Sequence, residues 1–227
     1  MSASAAAGRV DRVVDDLATG TRLSTITLLP VAVVFTAVGP ALGVALFAWG
    51  RSGVEAATVL GETVAASAFG LLPLAVVMLQ LRVFYALDDA RTPTLIMLMM
   101  TAFRVPAALL VPQVLPAERV VLGLAAVNAA AFGVGAAVGW VWLRVRLGPL
   151  HTRATLGVVV RTGVSAALAV LAVLAVDRLL GTANPAVTAV TAARTLVIAG
   201  VVGTAVYLAL IRVLRVPFVG YRASGRR

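Results

Sequence analysis

Six long apolar runs, separated by short polar breaks, make up most of this chain. They cover residues 24–49, 58–86, 94–111, 119–143, 156–176 and 188–214. A helix needs about 20 mostly apolar residues to cross a bilayer, and these runs meet that length. None shows the alternation over about ten residues that marks a membrane β-strand. The pattern predicts an all-α integral membrane protein. A six-helix transmembrane domain occupies residues 24–214, preceded by a lead-in at 1–23 and followed by a basic tail at 215–227. In the lead-in, Val10, Val13, Val14 and Leu17 recur at the i, i+3, i+4, i+7 spacing of one helical face, with Asp11, Asp15 and Asp16 off it. That stretch predicts a short amphipathic helix lying at the membrane surface. Residues 82–93 form the sharpest polar island in the apolar sequence. They predict a tight hairpin in which Thr92 is the N-cap and Pro93 takes the first helical position.

Composition agrees with the pattern. Of 227 residues, 61% are hydrophobic and 12% charged, and the mean hydropathy is +1.04. A soluble domain carries about 25% charged residues. With no cysteine and a single histidine, His151, the chain offers no disulfide framework and no His-pair or thiolate metal motif. No metal, cofactor or catalytic residue is predicted: no carboxylates pair on a helix face in the membrane, no phosphate-binding loop is present, and no serine has a histidine in reach. An enzyme is therefore not expected.

The net charge is +10, and every one of the 19 basic residues is arginine. Their placement points to the membrane rather than to nucleic acid. Fourteen lie on the side that holds the first residues: those of the lead-in, the 82–93 island, the loop 144–154 and the tail, with Arg161 and Arg212 near the adjoining run ends. The other side has four: Arg51, Arg119, Arg178 and Arg194. Positive charge marks the cytoplasmic loops, so both termini are expected in the cytoplasm. Trp49, Trp140 and Trp142 fall near run ends, as interfacial aromatics do. A turn is expected at 181–185, and the tail is expected to meet anionic headgroups.

The remaining arginine, Arg104, lies deep within a run, about ten residues and hence roughly 15 Å into the third helix. A guanidinium there costs about 2.5–3.5 kcal/mol on insertion scales, so such residues face protein or a watery cavity. No carboxylate of the chain lies at that depth. Arg104 therefore points either to an anionic substrate group such as phosphate, to neutral partners such as Gln80 and Asn128 or helix carbonyls, or to an acid outside this sequence. Pro40, Pro73 and Pro106 fall within three successive runs, where each removes a helical hydrogen bond. They are hinge candidates for a transporter that bends, or static kinks. In the fourth run Gly133, Gly135 and Gly139, with nearby alanines, predict a small-residue packing face.

The island supplies a resemblance. Arg82, Phe84, Tyr85, Ala86, Asp89, Arg91, Thr92 and Pro93 stand as in the motif that closes the tenth helix of the MurJ/MviN family, the lipid II flippases of bacterial cell-wall synthesis. Asp88 and Ala90 depart from it, since the family often has glycine and threonine there. The approach through Gly20 to Leu23 and Pro30 resembles the family's ninth helix. The resemblance implies a bundle of the multidrug/oligosaccharidyl-lipid/polysaccharide exporter type. This chain would correspond to about the last six of fourteen helices, with a possible missing N-terminal half as partner. It also implies a bacterial plasma membrane location, alternating access, and lipid II or another undecaprenyl-linked substrate among membrane lipids. By the same analogy the last two helices border a groove for the lipid tail. A polysaccharide-lipid flippase, a drug exporter of the same superfamily and a non-transporting membrane scaffold are the alternatives. The absence of membrane carboxylates weighs against a cation-coupled drug exporter.

Overall fold

The computed structural model describes residues 10–48, 53–148, 150, 152–179 and 189–214. The tail at 215–227, the first nine residues, Trp49, His151 and the expected turn at 181–185 lie outside these residues. Among the described residues the chain forms helices α1 (Val10–Phe47), α2 (Val54–Ala68), α3 (Leu71–Ala86), α4 (Arg91–Val114), α5 (Val120–Leu147), α6 (Thr152–Leu179) and α7 (Ala189–Val213), with a 3₁₀ turn at Ala117–Arg119 before α5 and no strand. Six stretches of the described residues are long and apolar enough to cross a membrane, α2 and α3 together forming one of them. The outer faces carry exposed Leu98, Leu109, Val145 and Val197. Such a surface suits lipid rather than water.

The amphipathic lead-in is the beginning of α1, not a separate helix at the surface. Its Val13 and Leu17 are buried against Val77, Leu81 and Phe84 of α3, Ile96 and Met100 of α4, and Leu143 of α5. The same apolar stripe that could have faced headgroups is used for helix packing. At 38 residues, α1 is about 57 Å long, so it outruns the bilayer and brings these turns to one end of the bundle.

The packing scheme centres on α1. It contacts α2, α3, α6 and α7, while α5 contacts α2, α3 and α4. The terminal pair, α6 and α7, packs on each other and on α1. Among the described glycines, those where α1 crosses α2 bring backbone closest to backbone. A β-carbon placed on Gly39 would stand 2.7 Å from both the Ala65 β-carbon and the Gly61 carbonyl oxygen. One placed on Gly43 would meet the Ala57 carbonyl oxygen and come within 2.6 Å of the Gly61 nitrogen. Gly39 and Gly43 are four apart, the small-x-x-x-small spacing that lets membrane helices touch backbone to backbone.

The second apolar run is broken at Phe69-Gly70. Pro73 cannot donate to the Phe69 carbonyl, and the Gly70 N–H turns back to Ser67 O at 3.0 Å before α3 restarts. Gly70 also lies against the α5 backbone, where an added β-carbon would sit 3.1 Å from Ala129 Cα. By contrast Pro40 and Pro106 lie inside continuous helices.

Candidate functional site

The hairpin between α3 and α4 ends one helix and starts the next with two adjacent aspartates. Asp88 adopts φ +56°, the one non-glycine residue at positive φ among those described. The Asp88 N–H donates to Tyr85 O at 3.2 Å and the Asp89 N–H to Phe84 O at 3.0 Å. This is the paired 5→2 and 6→1 closure of a helix whose C′ residue is left-handed, the position where glycine is easiest. Replacing Asp88 with glycine, the residue the resemblance leads one to expect there, should raise the thermal midpoint of the detergent-purified protein. The expected gain is about 1 kcal/mol, the cost of a side chain in the left-handed region.

Asp89 then caps α4. Its Oδ1 accepts the backbone N–H groups of Arg91 and Thr92, each at 3.0 Å, and its Oδ2 accepts the Thr92 hydroxyl at 2.6 Å. The expected N-cap at Thr92 is thus corrected. The carboxylate three residues before Thr92 outcompetes the hydroxyl because it reaches both free N–H groups at once. Helix α4 begins at Arg91, which leaves Pro93 third in the first turn, where its missing N–H is still harmless. Asp89 also forms an ion pair with Arg146 at the end of α5, rather than with the nearer Arg82 or Arg91. The Thr92 hydroxyl, the Thr92 backbone N–H and the Arg146 guanidinium together hold the Asp89 carboxyl down at about 2. Arg144, one turn from this end of α5, stands 5.2 Å over the Trp140 ring.

The motif residues divide into two groups. Phe84, Thr92 and Pro93 are buried, and Phe84 belongs to the cluster around Leu143. Arg82, Tyr85 and Arg91 are exposed. Arg82 and Tyr85 line a groove between α1 and α3 together with Asp16 and Thr19.

The three candidate binding residues do not form one cluster. The Arg104 Nη1–H donates to Asn128 Oδ1 at 3.3 Å, joining α4 to α5 on an exposed face. Among the described residues no carboxylate pairs with Arg104. Gln80 is elsewhere, 3% exposed at the crossing of α3 and α5. Its Nε2 donates to Ala136 O at 3.0 Å, while its Oε1 has no donor and lies against Gly139. Gln80 also borders a cleft of about 190 Å³ between α1, α3, α5 and α6. The remaining wall is apolar, including Leu17, Trp140, Leu143 and Leu156, apart from the threonines Thr21 and Thr155.

A sequence model of the family described as Lipid II flippase MurJ matches residues 1–220 of the 227. The chain belongs to that family. MurJ proteins are membrane transporters for a lipid-linked substrate, which agrees with the six apolar spans. The match covers α6 and α7 as well as the hairpin, so the MurJ assignment rests on far more than the short motif at 82–93. Two features of the structure carried no clear signal in the sequence. Nothing local marked Arg146 as the partner of Asp89, 57 residues away. The glycine spacing in α1 was visible but was overshadowed by the longer small-residue stripe in α5.

Proposed function

We propose that this chain takes part in moving lipid II across the bacterial plasma membrane by alternating access, with Arg104 on the path of the anionic headgroup. The supporting observation is the environment of Arg104 within a membrane span of a MurJ-family chain. It is exposed and held by one neutral amide, which leaves most of its five donors without a partner among the described residues. A diphosphate is the group such a fork suits best. The apolar cleft beside Gln80 is suited to isoprenoid rather than to a polar headgroup. The arginine distribution favours placing both termini, the 82–93 hairpin and the Asp89–Arg146 pair in the cytoplasm.

Lipid II translocation measured at matched protein levels tests the reading. Arg104→Gln should lower the rate by about tenfold to a hundredfold, the loss of one charge-assisted contact of about 1.5–3 kcal/mol. Arg104→Lys should retain part of it. Normal transport by Arg104→Gln would remove Arg104 from the path, and unchanged translocation after depletion of the protein would overturn the transport reading itself.

A further inference from the structure

Helix α1 contains a second proline, Pro30, away from its crossing with α2. Proline has no N–H, so the carbonyl four residues earlier, that of Ile26, loses its helical donor. In the apolar interior of a bundle an unpaired carbonyl is costly and has no water to turn to. The structure supplies a donor from the far end of the chain. The Tyr207 hydroxyl of α7 donates to Ile26 O at 2.6 Å in a buried hydrogen bond. The bond lies among Val158, Ala166, Ala169 and Ile211, an apolar setting contributed by α6 and α7.

We propose that Pro30 and Tyr207 form a latch that sets the register in which the α6–α7 hairpin docks on α1. The proline creates an acceptor, and the tyrosine satisfies it only when the hairpin is seated. Apart from those freed by prolines, the mid-helix carbonyls along α1 already have helical donors, so a hairpin shifted by a turn would leave both the hydroxyl and the Ile26 carbonyl unpaired. Because α6 and α7 reach the rest of the bundle through α1, this contact governs how the terminal pair sits on the whole molecule. The inference does not depend on what the protein transports.

The absence of native cysteine provides the reporter. Ala199 is 2% exposed and packs with Val38 of α1 and Val173 of α6. In the full chain carrying Ala199→Cys, the labelling rate of that thiol in detergent measures undocking of the hairpin. Tyr207→Phe keeps the ring and removes only the hydroxyl. It should speed labelling by about tenfold, and Tyr207→Leu should add little beyond that. In a Pro30→Ala background residue 30 again donates to Ile26, and Tyr207→Phe should then change the rate by no more than about twofold. Two results would overturn the latch: a Tyr207→Phe rate equal to that of the parent, or the same acceleration with and without Pro30. If Pro30→Ala does not fold, the comparison of Tyr207→Phe with Tyr207→Leu decides. An effect confined to Tyr207→Leu would make the residue a packing element and refute the latch.

Discussion

Gly61→Ala should destabilise the purified protein by more than about 3 kcal/mol, and Gly61→Leu should leave no folded protein in detergent extracts. A β-carbon at Gly61 would meet the Gly39 carbonyl oxygen and come within 2.8 Å of the Gly39 carbonyl carbon and 2.9 Å of Pro40 Cα. All three are backbone atoms of α1, so no rotamer change relieves the contact and the helices must part. Separation would strip contacts from Ala57 and Val44 as well, since they belong to the same crossing. The matched controls are Gly133→Ala, Gly157→Ala and Gly200→Ala, where an added β-carbon meets nothing within 4 Å. These should be neutral or gain up to about 1 kcal/mol through helix propensity. Thermal midpoints for the four alanine variants test the contrast. Equal losses at all four positions would show that the crossing is not the determinant.

Asp89→Ala should lower the midpoint by on the order of 5 °C, whereas Arg146→Ala should lower it by at most about a degree. The asymmetry follows from what each side chain does. Asp89 satisfies two backbone N–H groups and one hydroxyl at the start of α4, besides pairing with Arg146. Arg146 is 41% exposed and contributes a screened surface ion pair that a water shell replaces. The carboxyl also predicts an acid response. Its folded value of about 2 lies below the ordinary aspartate value of about 3.9. Its contribution is therefore complete above about pH 4 and is lost as pH falls through about 2. The midpoint difference between the parent protein and Asp89→Ala should be constant at neutral pH and shrink only in that acid window. A difference that vanished near pH 6 would assign the effect to another group.

The spans were legible because each apolar run declares its own length, and helix boundaries moved by only a few residues except at the start of α1, which runs back through the lead-in to Val10. The Phe69-Gly70 break was less visible, since hydropathy does not change across it. Its causes are the donor missing at Pro73 and the close approach of Gly70 to Ala129. The small-residue stripe in α5 was half right for a geometric reason. Gly135 and Gly139 are one turn apart and face Met100, Val77 and Gln80, while Gly133 lies on another side of the same helix and faces open space. The hairpin was legible as a turn but not as a capping device, because a carboxylate and a hydroxyl three residues apart both read as caps. The Arg104–Asn128 contact was foreseen among the options for that arginine, since Asn128 is one of few polar residues in the neighbouring span.

The hub position of α1 also bears on how the chain assembles. Tyr207 meets Ile26 across 181 residues of sequence, so within this chain the last helix to leave the ribosome must find the first. Until then the flank of α1 that receives α6 and α7 has no partner from within this chain, while α2 and α3 pack elsewhere on it. The terminal pair therefore completes this flank of α1 only after the intervening helices of the chain have been made.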